Sequence, residues 1–393
     1  MAFLLQYRAL RKRVEEQINE LNDEEKNTHP SPPRLSGLTQ TVPEAGNNDA
    51  AGDKDKIEDQ HQTDRYSNLA GITAKTNDNG EIYYLVGWES PEDPQNPHNW
   101  SRSRRISTIL ILDWIAFVVT AASSIDATIL MPASQAFHVS EVAESLATGI
   151  FLIGFGLGAL LASPSSELVG RYPVYLATLG IFGCWLIGAA LAPNFGAQLA
   201  FRFLAGCFAS APLTCCGGSI SDMFNPKEKT WAFPIFGIVG FGGPTLGPVI
   251  GAYIGYSPHI DWRWTEWIML VTDGLVIILV LLFKRETLAP QLLKYKARHF
   301  RQVTGDQRFK SEMEAAGHTI GKVLKTNFSR PFILAIEPIV LSFTLYLTVI
   351  YIVLFTFLDG YVIQAVALDF APTDNTRIDT QTFLRTYTAP IQA

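Results

Sequence analysis

Six charged residues lie inside otherwise apolar runs of this sequence: Asp113, Asp126, Arg202, Glu266, Asp273 and Glu337. A charge at the centre of a membrane-spanning helix costs at least about 2.5–3.5 kcal/mol, so such residues usually have partners or a task. Asp126 stands four residues before the end of the first run, Arg202 six residues into the fourth, and Glu266 one residue into the sixth. Successive runs cross in opposite directions, so these three share one side. Two chemistries suit an acid–base group at that depth. One is a carboxylate that gains and loses a proton beside an arginine; the other is a static ion pair that locks helices together. Asp273 lies nearest the middle of its run, whereas Asp113 and Glu337 lie towards the other side.

A second pattern carries shape rather than charge. The fifth run contains Gly237, Gly240, Gly243-Pro244, Gly247-Pro248 and Gly251. Spacings of three and four put these residues along one helical face, where glycine lets another backbone approach closely. Each proline removes a backbone donor. A shorter run, Gly154-Phe155-Gly156-Leu157-Gly158, resembles a dinucleotide loop only superficially. It sits inside an apolar run, follows no strand and lacks the third glycine, so it reads as helix packing.

Other chemistries find no residues to support them. His29, His61, His98, His138, His259, His299 and His318 all lie outside the apolar runs, which argues against membrane enzymes built on clustered histidines. The four cysteines (Cys184, Cys207, Cys215 and Cys216) all lie within apolar runs. They show neither metal-type spacing nor a disulfide framework. The phosphate-cradling G-x-x-x-x-G-K-[ST] run is missing, so ATP-driven work lacks its loop. No metal, cofactor or nucleic acid is expected.

The elements that must position these residues follow from composition. The chain has 393 residues, 48% hydrophobic and 17% charged. Residues 1–100 hold 18 of the 37 acids and 10 of the 31 Lys and Arg, so the net charge of −6 describes this segment and not the apolar body. Residues 1–101 read as a largely disordered acidic tail, with a short charged helix over 8–26 and an extended collar over 88–101. A bilayer core about 30 Å thick needs about 20 apolar residues in a helix. Seven runs qualify: 106–130, 144–162, 173–192, 196–220, 231–254, 265–283 and 331–358. The first six form a bundle over 102–283, and a basic loop over 284–330 precedes the seventh. Lys and Arg concentrate before the first run, between alternate runs, and in 284–330, which holds 11 of them. That bias predicts a cytosolic N-terminus.

On these residues the chain resembles the major facilitator superfamily, and within it the fungal drug:proton antiporters of the twelve-helix kind. The run from Gly243 to Gly251 matches the antiporter signature of that family's fifth helix, with Gly240 preceding it. Glu167, Gly170 and Arg171 match the family's loop between helices two and three, although its first glycine and central basic residue are absent. Arg202 falls where the family carries an arginine in helix four. Asp261-Trp262-Arg263-Trp264-Thr265-Glu266 and Lys284-Arg285-Glu286-Thr287 look like marks of the same subfamily around helix six. The resemblance spans about residues 90–361.

The resemblance implies an all-α membrane protein: the six-helix bundle of a major facilitator N-terminal half plus one helix of the second half, truncated after the seventh helix, with 359–393 as an atypical tail. It also implies a secondary transporter that exports small organic molecules, such as drugs or fungal metabolites, against proton entry. Its partners would be substrate, protons and lipid, it would be monomeric if full-length, and it would reside in the plasma membrane. Asp126, Arg202, Glu266 and the midplane Asp273 become candidates for the transport site. A truncated, non-transporting product would share this fold. A seven-helix receptor is the other class compatible with seven runs, but it would place the N-terminus outside.

The orientation yields the first prediction. The two glycosylation sequons, Asn99-Trp100-Ser101 and Asn327-Phe328-Ser329, both fall on the expected cytosolic side. Neither is modified, and glycosidase treatment leaves gel mobility unchanged. A shift that disappears in Asn327→Gln would reverse the orientation.

Overall fold

The computed structural model describes residues 1–28, 66, 69–77, 80–255, 257, 259–316 and 333–369. Helix α1 spans Ala2–Thr28. Strands β1 (Ile72–Thr76) and β2 (Ile82–Val86) follow. Six long helices come next: α2 (Arg102–Ser124), α3 (Leu146–Val169), α4 (Arg171–Ala190), α5 (Phe195–Met223), α6 (Pro226–Gly255) and α7 (Trp264–Phe283). Helix α8 (Ala289–Thr304), strand β3 (Phe309–Lys310) and helix α9 (Pro338–Asp369) complete the order. Helices α2 to α7 correspond to the first six apolar runs. Each is long and apolar enough to cross a membrane, and among the described residues these are the six that qualify. The chain divides into two units, Met1–Phe343 and Thr344–Ala393. Helix α9 begins within the first unit and continues to Asp369, beyond the expected end of the seventh run at 358. Of the expected tail over 359–393, residues 370–393 lie outside the described residues.

Helix α2 is the axis of the bundle. It packs against α5, α6 and α7, and its most apolar stretch is the most deeply buried of the six. The glycine stripe of α6 explains the closeness of its contact with α2. A Cβ on Gly243 would stand 2.8 Å from both Ala121 N and Phe117 O. A Cβ on Gly247 would stand 2.8 Å from Ala121 O, and one on Gly251 would stand 2.5 Å from Ile125 O. Three successive turns of α6 therefore lie directly on the α2 backbone. This is how helices associate in lipid, where side-chain burial gives little driving force. The expected stripe extends too far towards the N-terminus, because Gly237 and Gly240 have no atom within 4 Å of a built Cβ. Gly154, Gly158 and Gly206 make a similar backbone approach between α3 and α5, so the glycine run in α3 is a packing device.

The expected disorder before the bundle needs correction. Helix α1 is longer than the short helix expected over 8–26, and β1 falls within a stretch expected to be unstructured. Most of 27–80 lies outside the described residues. Val14 and Leu21 of α1 share a buried core with Tyr66, Leu69, Ile72, Tyr84, Val86, Ala297, Phe300 and Phe309. Strand β1 pairs antiparallel with β2 in the register Ile72↔Val86, and β2 pairs parallel with β3 through Tyr84↔Phe309. The expected basic loop thus contributes α8 and β3 to a small unit that it builds with the acidic segment. Glu89 joins the two segments electrostatically. It lies 2.9 Å from Arg13 of α1 and 3.4 Å from Lys296 of α8. Average composition concealed this because the apolar residues of each segment are few and meet only across more than about 200 positions of chain.

The α2–α6 contact gives a second prediction. Gly243→Leu forces a side chain into a backbone contact, and overpacking of this kind costs about 1–3 kcal/mol or more. The variant loses yield and melts at lower temperature in detergent. Gly240→Leu, which meets open space, melts like the wild type. Equal melting of both variants with the wild type would show that the glycine stripe bears no packing.

Candidate functional site

Helix α5 brings the central group into place. Its N-cap Asn194 accepts a hydrogen bond from Ala197 N at 2.8 Å, fixing where the helix starts. Gln198 and Arg202 then stand one turn apart on one face. Helix α2 ends at Ser124 and tightens into a 3-10 turn over Ile125–Thr128, which carries Asp126 inwards. Glu266 occupies the first turn of α7.

These elements converge on Arg202. Its Nη2 forms ion pairs with Asp126 and, at 2.5 Å, with Glu266. Its Nη1 donates to Ala122 O at 3.0 Å, and the Phe151 ring lies 5.9 Å from its guanidinium carbon. All three charged residues are at most 4% exposed. The expected acid–base group is therefore assembled, and Glu266 belongs to it fully despite its place near the helix end. Nearby Trp262 is buried with Ile129, Ala133 and Phe137, its ring 5.5 Å from that of Phe137. It packs inwards, towards the Arg202 side of the bundle end, and not into the lipid interface. Trp264 is half exposed.

The sequence reading missed a fourth member. Glu144, in the single turn Glu141–Glu144 before α3, is buried and accepts from Gln198 Nε2 at 2.8 Å. Asp126 and Arg202 both act on it electrostatically. In the sequence it stands at the boundary of an apolar run. The available signal was Gln198, a polar residue exactly one turn before Arg202 on the same helical face.

The other embedded acids stand apart. Asp273 is fully buried against Gly183 of α4, where a Cβ would come within 2.9 Å of its Oδ2. Neither of its oxygens has a hydrogen-bond partner among the described residues. Its seam is the α4–α7 contact, away from Arg202. Asp113 is buried in α2, and Glu337 is exposed.

The opposite end of α5 holds a second polar group, about 30 Å from Arg202 at 1.5 Å per residue. Arg171 Nε pairs with Asp222 Oδ2 at 3.1 Å, and Nη1 donates to Ser166 at 2.7 Å. Glu167 lies on an exposed face. Gly170 adopts φ +106°, a conformation that suits glycine, and turns the chain between α3 and α4. The Glu286 carboxylate then caps α4, accepting from Arg171 N at 3.0 Å and Tyr172 N at 3.1 Å. Gln6 of α1 clips the Glu286 backbone from both sides, at 2.9 and 3.1 Å. Lys284 is fully buried, with Nζ 4.3 Å from the Tyr175 ring centroid. Burial pushes its pKa down to about 8.

A family model described as Major Facilitator Superfamily matches residues 114–374. The chain belongs to the Major Facilitator Superfamily. It is 49% identical over 284 residues to the MFS-type transporter kojT of Aspergillus flavus, an alignment covering 72% of this chain and 50% of that relative. It is 38% identical to the uncharacterized transporter C794.04c of Schizosaccharomyces pombe, covering 77% of this chain and 56% of that one. It is 32% identical to the transporter paaT of Penicillium rubens, covering 74% and 52%. The chain spans about half the length of the curated relatives it matches. Among solved structures, the proton:xylose symporter XylE bound to 6-bromo-6-deoxy-D-glucose aligns with a TM-score of 0.44 at 13% identity, covering 58% of this chain and 54% of that one. This superfamily member is thus a multi-pass membrane protein from a family of transporters, not enzymes.

Lys284 supplies a prediction on pH. A lysine whose pKa falls from 10.5 unfolded to about 8 folded is costly to keep charged in the folded state. Between pH 8 and 10.5 the unfolded chain holds more protons, so stability rises with pH across that window. Lys284→Met removes the penalty, on the order of 3 kcal/mol at one pKa unit per 1.36 kcal/mol. Thermal melting of the variant is higher at pH 7 and flat between pH 8 and 10.5. A wild-type profile in the variant would show that Lys284 is solvated.

Proposed function

We propose that this chain is the proton-binding half of a secondary transporter that expels small organic molecules in exchange for protons, with the Arg202 group as its coupling site. The observation that carries this reading is one buried guanidinium shared by carboxylates from two other helices, Asp126 beside α2 and Glu266 on α7. A proton on either acid weakens one ion pair and leaves Arg202 to the other. Loading and unloading the site therefore changes what ties α2, α5 and α7 together. A static lock needs only one acid; a second acid gives the arginine somewhere to go.

The family supports transport, and the antiporter signature in α6 supports exchange. With the N-terminus in the cytosol, the Arg202 group faces the outside and Arg171 faces the cytosol. Asp273 is the weaker candidate, because it lies in the α4–α7 seam away from Arg202, while the glycine motif serves the α2–α6 contact. Small molecules produced or met by fungi fit as substrates, and the plasma membrane fits as the site of export.

The test is efflux of dyes and antifungals from pump-deleted yeast expressing a full-length transporter that contains this chain. Asp126→Asn keeps the shape of the side chain and removes its titration. Efflux then loses its dependence on the proton gradient, and Arg202→Ala abolishes it. Gradient-driven efflux that survives in Asp126→Asn would leave the group as a structural ion pair.

A further inference from the structure

The Arg202 group contains more acid than its arginine can balance. Asp126, Glu266 and Glu144 are three buried carboxyls around one guanidinium, and Arg202 makes ion pairs with only the first two. Glu144 has one bond, from Gln198 Nε2 to its Oε1 at 2.8 Å. Its other oxygen, Oε2, is buried without a partner among the described residues, and so is Gln198 Oε1. Both orphaned atoms are acceptors. A carboxylic acid and a primary amide complete a reciprocal pair when the acid carries a hydrogen: the amide N–H donates to the acid carbonyl and the acid O–H donates to the amide carbonyl. Here the first bond is made, and a proton on Glu144 Oε2 would supply the donor that both orphaned acceptors lack. Buried polar groups are rarely left unpaired, since each such omission costs about 1–3 kcal/mol.

Position gives this pair a direction. Glu144 lies in the single turn Glu141–Glu144, flanked by exposed Glu141, Val142, Ser145 and Leu146. Gln198 lies in the first turn of α5, just after exposed Asn194 and Gly196, and Arg202 lies one turn deeper. The pair therefore sits between the rim of the bundle and the Arg202 group.

We infer that Glu144 is a second proton-carrying residue of this site, held by Gln198 and placed between the rim and the Arg202 ion pairs. The inference rests on the reading of Arg202 as a coupling site. The step is a proton transfer and nothing else. Glu144 Oε2 takes a proton from water at the rim, the bond to Gln198 Oε1 forms, and one negative charge leaves the group. Release reverses each change. The charged groups that act on Glu144 are Asp126 and Arg202, with Glu266 behind Arg202, so its occupancy and that of the ion-paired acids depend on each other.

The test is infrared difference spectroscopy of the purified protein in lipid nanodiscs during a pH titration, reading the carbonyl band of protonated carboxylic acids. Glu144→Gln, close to isosteric, loses one band that Asp126→Asn retains. Gln198→Leu keeps that band but shifts its frequency and its titration midpoint, because the acid has lost its amide. In yeast, Glu144→Gln also displaces the dependence of efflux on external pH. A Glu144→Gln spectrum that superimposes on the wild type would overturn the inference, as would a Gln198→Leu band at unchanged frequency and midpoint. These spectra do not depend on transport. Failure of the coupling reading would instead appear as gradient-driven efflux in Asp126→Asn.

Discussion

A fully buried guanidinium cannot be left alone in lipid, and much of this fold can be read as the solution to that constraint. Arg202 needs acceptors within its reach, so the end of α2 and the start of α7 must both deliver oxygens to one point on α5. The 3-10 turn after Ser124 exists where Asp126 must swing inwards. Removing the arginine from such a group leaves buried carboxylates uncompensated, which is far more damaging than losing a surface ion pair. The same property makes the group sensitive to a single proton.

Convergence on one point also demands close helices, and small residues supply the closeness. Gly243, Gly247 and Gly251 lay α6 on the backbone of α2, while Gly154, Gly158 and Gly206 do the same for α3 and α5. The two glycine seams therefore hold the two helices that carry Asp126 and Arg202. Packing and electrostatics are not separate contributions here. A helix held off by one extra methylene would carry its charged group out of reach of its partner.

Much of this was legible in the sequence. Apolar run length gave all six bundle helices, because a bilayer imposes a minimum length that no soluble fold requires. Charges at equal depth gave Asp126, Arg202 and Glu266 as one group, because helical rise converts residue counts into depth. Glu144 was harder to read than Glu266, although the two occupy the same kind of position. Both stand at run ends, where counting predicts water, and burial there depends on how neighbouring turns fold over them. The stripe was overextended to Gly240 because spacing gives a face but not where on that face a neighbour begins. The unit of α1, β1, β2, α8 and β3 was missed because its contacts are non-local. Neither half of it has an apolar face large enough to announce itself.

That last unit has a consequence for the order in which the protein is made. Gln6, Phe3 and Tyr7 of α1 rest on Glu286, Tyr172, Tyr295 and His299, so α1 leaves the ribosome well before the residues that seat it. At about 5–20 residues per second, the interval between the two is roughly 15–60 s. Throughout it the membrane helices are entering the bilayer while the apolar side of α1 stays uncovered. Docking of α1 therefore marks the moment when the six-helix bundle has been synthesised through to its end.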